Sequence, residues 1–505
     1  MADKQVLGIA RGGGLNLLGQ VCSQVAMLVV TVLLARQLGR EDVGRYAQAS
    51  AILSLLGLVS LSGLRTGLTR FVAVHLAEGE AGALRGTVRL GIALTTGAAA
   101  LLGLALYLAA PGLAHGAFHD QGLALPLQVV ALVLPAATFT DSALAATQGF
   151  RTMKPFALVG LVFEPLLRVG LSAALIAGGA GLGGALAAMA VSNLAAAAAA
   201  AWALRRLLRR VAQAAPTRAR LRELLGFSLL SWGASLASSG LVWADTILIG
   251  ALRSSAEVGV YNVATRLVTL ATFVMPAING ALGPRIANLH HRHQTESLRR
   301  AYAVATSWIL RLSLPGFVVL LAFPSQLLRL FGDGFREGAA VTAVLAAGKL
   351  ADAGTGPCGL MLNMSGRPLW STVDNLVALV LNVVLNLWLI PTHGILGAAM
   401  AWALALAIVN LARVVQVWCI MRMLPFDLGV LKGVLAGAGA LAAGLLARQW
   451  VAMAAIPLAT ALGLVQVGVV YLALLAVLGI GAEDRLVLRT LLRRVRDAGA
   501  GALTS

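Results

Sequence analysis

Apolar positions along this chain gather into runs of about twenty residues, separated by short polar stretches. The runs lack the alternation of apolar and polar residues that marks the strands of a membrane barrel, so the pattern predicts helices. Fourteen runs can be marked, at 14–38, 43–66, 86–110, 122–147, 157–179, 183–207, 224–251, 258–282, 301–324, 338–363, 371–391, 394–420, 428–452 and 455–480. The expectation is an all-α membrane protein of fourteen transmembrane helices.

Short matches recur at nearly one spacing. Val43-Gly44-Arg45-Tyr46 falls on Val258-Gly259-Val260-Tyr261, and Arg70-Phe71-Val72-Ala73 on Arg285-Ile286-Ala287-Asn288, each 215 residues on. Lys154-Pro155 falls on Arg367-Pro368, and Gly181-Leu182-Gly183-Gly184-Ala185 on Gly394-Ile395-Leu396-Gly397-Ala398, each 213 residues on. This spacing predicts two six-span halves of the same orientation, a parallel repeat that places a site near the bilayer midplane. The expected divisions are a lobe at 1–207, a basic linker at 208–223, a second lobe at 224–422, two extra membrane helices at 423–482 and a basic tail at 483–505.

Composition agrees with a membrane chain. Hydrophobic residues make up 59% and charged ones 12% of the 505 residues, and mean hydropathy is +0.87. The net charge of +19 would suggest a nucleic-acid partner in a soluble protein. Here 27 of the 39 Lys and Arg fall in one set of loops and seven in the other, with five inside the runs. Positive-inside bias accounts for that split without nucleic acid, and puts both termini in the cytoplasm. Cys22, Cys358 and Cys419 lie in apolar runs without metal spacing and read as small hydrophobes. The first run has no obvious small-residue cleavage site and reads as a retained span.

Ionisable residues inside the runs are the candidate chemistry, because each costs roughly 2.5–3.5 kcal/mol on insertion scales. Arg266 has no acid three or four residues away on its helix. It must meet an anion, water or an acid on another helix, and its planar fork suits phosphate. Arg311 is similar, with packing or snorkelling as the alternative. Glu164 and Arg168, and Lys349 and Asp352, have the spacing of mutual pairs, either of which can also face a cavity. Arg65 and Arg70 end the second run, as anchors or as a docking point for an anion. Arg413 is expected to snorkel. Asp245 with Asn382 and Asn386, the last two on one helix face, offers either oxygen ligands for a hard cation or a hydrogen-bond cluster. Pro276 and Pro315 offer bend points, and the HHRH stretch at His290–His293 reads as a solvated face.

The segments LLARQLG at 33–39 with VGRY after it, ADTILIG at 244–250 with VGVY, PAINGALGPRIA at 276–287 and GILGAAMAWA at 394–403 carry a resemblance. They resemble the polysaccharide-transporter branch of the multidrug/oligosaccharidyl-lipid/polysaccharide exporter superfamily. The resemblance implies two six-helix lobes forming a V around a central cavity. It also implies a non-enzymatic flippase for undecaprenyl-pyrophosphate-type oligosaccharides, serving cell-surface polysaccharide synthesis in the inner membrane by alternating access. Implied partners are the lipid-linked oligosaccharide, membrane lipids, a polysaccharide polymerase and a chain-length regulator. In similar precursor flippases an arginine in the context of Arg266 faces the cavity. Arg311, Arg65, Arg70, Arg168 and Lys349 join it here as candidates for the substrate. In the same relatives an acid at the place of Asp245 joins an Asn-x-x-x-Asp in a sodium site. Here Asn386 replaces the second acid, leaving a sodium ion, a proton gradient or no coupling ion open; no other cofactor is expected. The alternatives are a multidrug antiporter of the same superfamily and a membrane polymerase, ligase or glycosyltransferase. Mid-membrane bases argue against the first, and short outer loops against the second.

Overall fold

The computed structural model of the chain describes residues 2–211, 221–272, 274–451 and 456–479. Most of the linker (212–220) and the basic tail at 483–505 lie outside the described residues. All regular structure among the described residues is helical. The long elements are α1 (Ala2–Leu61), α2 (Leu64–Glu78), α3 (Ala81–Gly112), α4 (Ala124–Gly149), α5 (Glu164–Ala177, entered through a π-helical stretch Phe156–Phe163), α6 (Gly181–Leu208) and α7 (Leu221–Leu252). They continue as α8 (Ser255–Ala271), α9 (Val274–His291), α10 (Thr295–Ala322), the short α11 (Pro324–Leu328), α12 (Ala339–Thr355), α13 (Cys358–Met364), α14 (Pro368–Met421), α15 (Leu428–Val451) and α16 (Ile456–Leu478).

Nine helices among the described residues are long and apolar enough to cross a membrane, ten if α8 and α9 form one span. Two of the nine, Leu18–Leu61 and Pro368–Met421, run 44 and 54 residues, twice what one crossing needs. Each is broken at a glycine with positive φ, Gly39 (φ 80°) and Gly394 (φ 58°). The chain therefore redirects at one residue where the sequence suggested short loops at 39–42 and 392–393. After Gly39 the acids Glu41 and Asp42 stand in the first turn of the second segment, where a helix N-terminus favours negative charge.

Two further expected spans are interrupted. The second run was expected to reach residue 66, but Ser62 and Gly63, both with positive φ, separate α1 from α2. Arg65 and Arg70 thus belong to a separate helix and do not end the span. The run at 338–363 divides into α12 and α13, with a break at Gly356-Pro357.

The described chain has two compact units. Among the described residues, one lies within 2–266, 328–341 and 372–405; the other lies within 267–327, 342–371 and 406–479. In the first, Val72, Leu84, Val88, Leu144 and Leu204 form a core joining α2, α3, α4 and α6. In the second, Ile286, Tyr302, Met361, Leu362 and Val417 join α9, α10, α13 and α14. There α15 and α16 pack on each other and on α10. The seam with α10 includes Gly433 and Gly437, where an added Cβ would stand 2.7 Å from Arg311 and Leu314 respectively.

Candidate functional site

The repeated glycine motif has a structural meaning within the first unit. A Cβ on Gly44 would lie 1.6 Å from the Ser255 carbonyl oxygen, and one on Gly259 would lie 1.9 Å from that of Arg40. Residues 40 and 255, and 44 and 259, are both repeat-related pairs. The second segment of α1 and the start of α8 therefore cross backbone to backbone, each using the same motif. Three polar groupings surround this crossing.

The first grouping binds the ends of the crossing. Asp120 precedes α4 and accepts from Arg45 Nε and Nη2, both at 2.8 Å, from Ser255 Oγ at 2.6 Å and from Gly122 N at 2.9 Å. Gln48 donates to Ser255 Oγ at 2.8 Å. Arg45 also reaches Asp42 at 3.0 Å and Glu41 at 2.5 Å. Burial pushes the Asp120 carboxyl up, but the hydrogen bonds from Arg45 and Ser255 and the Arg45 charge outweigh it and hold Asp120 below its usual value.

The second grouping is centred on Asp245 of α7. Its Oδ1 accepts from Asn382 at 3.0 Å and Asn386 at 2.7 Å, and its Oδ2 from Tyr261 Oη at 2.5 Å. Asp245 and Tyr261 are 3% exposed and both asparagines 0%, so the three donors are what make a carboxylate tolerable here. The structure brings Asp245, Asn382 and Asn386 together and adds Tyr261, which the sequence reading missed and whose signal was its place in the repeat. Both amides present nitrogen to Asp245, and their oxygens are buried without partners. As arranged, the set is a buried carboxylate with three donors on its two oxygens.

The third grouping lines a small pocket of about 20 Å³ between α1, α7 and α8. Arg266 stands in its wall with Asn262, one turn earlier on α8. Facing them are Tyr46 and Ser50, one turn apart on α1; Met27, Val30, Leu34 and Trp243 supply apolar wall. Arg266 forms no ion pair among the described residues. It feels the charge of Arg168 and lies beside Tyr46. Arg168 is held by Glu164, which also accepts from Ser192 at 3.3 Å. The expected Glu164–Arg168 pair is thus formed, and its cation lies close to that of Arg266.

The other candidates are placed differently. Arg65 lies 5.4 Å from the Phe156 ring centroid and Arg70 4.2 Å from that of Phe227, cation–π seats that need no acid. Arg65 also faces the charge of Asp141 on α4, an acid missed in the sequence, which forms no hydrogen bond or ion pair among the described residues. Its signal was a lone acid inside an apolar run. In the second unit Arg311 lies along the α15 seam, and its carbonyl accepts from Tyr471 Oη at 2.8 Å. Lys349 pairs with Asp352 at 3.1 Å, and both line a pocket of about 180 Å³. Asp352 accepts from Asn410 at 2.7 Å, and Arg413 donates to Asn410 at 3.2 Å. Arg413 is therefore part of a polar network, contrary to the expected snorkelling.

A family model described as "Polysaccharide biosynthesis protein" matches residues 9–290, and one described as MatE matches 232–388. Two curated proteins of Haloferax volcanii are similar. The "Probable low-salt glycan biosynthesis flippase Agl15" is 25% identical over 188 residues, 37% of this chain and 40% of that protein. The "Probable flippase AglR" is 27% identical over 202 residues, 39% of this chain and 42% of that protein. The aligned part thus spans about two fifths of either relative. Among solved structures, "Lipid II flippase MurJ, inward closed conformation" superposes with a TM-score of 0.74 at 12% identity. It covers 91% of this chain and 97% of that one, a likeness of fold.

Proposed function

This chain belongs to the polysaccharide biosynthesis protein family, and from that membership we propose that it is a flippase moving a lipid-linked oligosaccharide across the cytoplasmic membrane. The observation that carries the reading is Arg266, a cation without an ion-pair partner in the wall of a pocket inside a membrane chain. A cation held so is a receptor for the anionic group that links saccharide to lipid. The chain acts as a transporter and catalyses no bond chemistry. Named flippases among its relatives support this, as does the fold it shares with MurJ.

The proposed architecture is fourteen crossings in two six-helix lobes and a C-terminal pair, with both termini cytoplasmic. The lobes open alternately to either side, the head group crosses between them and the polyprenyl tail stays in lipid. The substrate is of the undecaprenyl-pyrophosphate type. A polymerase and a chain-length regulator are the partners that would take the product onward. Coupling, where present, runs through Asp245. The coupling ion would be sodium or a proton. A multidrug antiporter draws support from the MatE match. The pocket carries arginine and no acid, which disfavours cationic drugs.

The test is translocation of a fluorescent lipid-linked oligosaccharide by the purified chain in vesicles. Arg266→Ala should abolish it or slow it at least tenfold, and Arg266→Lys should restore part, keeping charge without the fork. Wild-type rates in a well-inserted Arg266→Ala protein would refute the reading.

A further inference from the structure

The second unit holds a polar pocket of its own, about 180 Å³ in volume and walled by α9, α10 and α12. Lys349 and Asp352 of α12 face it, as do Asn279 of α9 and Ser313 of α10; Met275 and Phe317 supply apolar wall. Pro276, at its edge, is exposed, and the Lys349 side chain is 28% exposed, so a guest has a way in. Asp352 is fixed from behind. Asn410 of α14, 2% exposed, donates to its Oδ1 at 2.7 Å, Arg413 donates to Asn410 at 3.2 Å, and Lys349 donates to Oδ2 at 3.1 Å. Each carboxylate oxygen still has a lone pair to offer. The amide oxygen of Asn279 is buried and has no hydrogen-bond partner, an uncommon state because it forfeits hydration without compensation.

These groups narrow the guest. Lys349 and Asp352 carry opposite charges and no other ionisable side chain lines the pocket, so its wall has no net charge to hold a phosphate. Asp352 and the Asn279 oxygen both accept, and a phosphate dianion brings them no proton. A cation would meet the Lys349 ammonium, and a hydrocarbon would leave the carboxylate and the amide without donors. What fits is a neutral molecule carrying several O–H or N–H groups and one apolar face. We infer that this pocket is a saccharide subsite, in which Asp352 and Asn279 accept from sugar hydroxyl or acetamido groups and a ring face rests on Met275 and Phe317. Its volume suits a single ring, being below the roughly 300–1,000 Å³ of pockets for larger ligands. The inference rests on the reading of this chain as a carrier of lipid-linked oligosaccharide, and it assigns recognition of one sugar to the second unit.

The test is saturation-transfer NMR on the purified full chain in nanodiscs. The probes are glucose, galactose, mannose, N-acetylglucosamine and N-acetylgalactosamine, with inorganic pyrophosphate as the anionic control. Thermal unfolding of each ligand-free variant is recorded alongside. At least one sugar should bind, and its prenyl-diphosphate-linked form should displace it. Asn279→Ala and Ser313→Ala should each weaken it by about three- to tenfold, the loss of a neutral hydrogen bond, and Asp352→Asn by about tenfold or more. Asn279→Ala is decisive, because the oxygen it removes has no partner and its ligand-free thermal midpoint should match the wild type. A wild type that binds no sugar, sugar binding unchanged in Asn279→Ala and Asp352→Asn, or displacement by pyrophosphate would each overturn the subsite. Continued translocation of the lipid-linked oligosaccharide would then leave the proposed function standing. Failure of the prenyl-linked form to displace the sugar would overturn the assignment to the head group. Sugar binding that persists in a wild type that translocates nothing would overturn the proposed function and leave the pocket as a sugar site.

Discussion

Removing the Asp120 charge should loosen the crossing of α1 and α8, and the size of the effect follows from the contacts. Asp120→Asn keeps one acceptor oxygen but breaks a two-pronged pair with Arg45 and weakens the bond from Ser255. The side chains of Arg45 and Asp120 are 20% and 14% exposed, between an exposed pair worth roughly 0–1 kcal/mol and a buried one costing roughly 3–5 kcal/mol to break. Arg45 keeps Glu41 and Asp42 as fallback partners, which lowers the figure to about 2 kcal/mol. Reversible unfolding in mixed micelles would measure it, with Arg45→Met and the double variant closing a cycle. The coupling should be about 1–2 kcal/mol, and Glu41→Gln, at 60% exposure, should cost under about 0.5 kcal/mol. Because the folded carboxyl titrates below its usual value, its contribution is complete above the ordinary carboxylate range and is lost as pH falls through the depressed value. The gap between wild type and Asp120→Asn should thus hold constant from about pH 8 to 5 and close below it. Additive single variants, or a gap that widens in acid, would refute the reasoning.

Gly44→Ala and Gly259→Ala should each unseat the crossing, since the added methyl meets a carbonyl oxygen at 1.6 or 1.9 Å; loss of thermal stability by several degrees in both, with Gly97→Ala mild, is the expected result. Tyr261→Phe should cost about 1–3 kcal/mol, because it leaves the buried Asp245 short of a donor, and unfolding in mixed micelles reads it. Single cysteines at Arg210 and Arg292 should react with an impermeant thiol reagent only from the cytoplasm, and one at Arg336 only from outside; reaction of Arg292 and Arg336 from one side would overturn the orientation.

Much of the fold was legible because a bilayer demands long apolar helices, and such helices show as runs. What escaped was how runs connect. GREDVG after residue 38 has the composition of a loop, yet Glu41, Asp42 and Arg45 pair along a helix. Gly39 then supplies the whole change of direction. Conversely, the uninterrupted hydropathy at 43–66 concealed the turn at Ser62-Gly63. Hydropathy reports what a segment is dissolved in and is nearly blind to a single backbone dihedral.

The site divides along a similar line. Residues whose cost is charge stood out: Arg266, Asp245 and the Glu164–Arg168 pair were all visible as ions in hydrocarbon. Residues whose cost is a single hydroxyl did not, because tyrosine and serine are ordinary in membrane helices. Tyr46 and Tyr261 were in plain view as the ends of VGRY and VGVY, read only as a repeat. The structure separates their surroundings. Tyr261 donates to Asp245, whereas its repeat mate Tyr46 stands beside Arg168 and Arg266 in the pocket wall. After duplication the two halves kept the glycine that lets the helices touch and the tyrosine that follows it. In one half the tyrosine neutralises the cost of a buried acid. In the other it stands between the guanidinium groups of Arg168 and Arg266, so one motif position serves a buried acid on one side of the crossing and buried bases on the other.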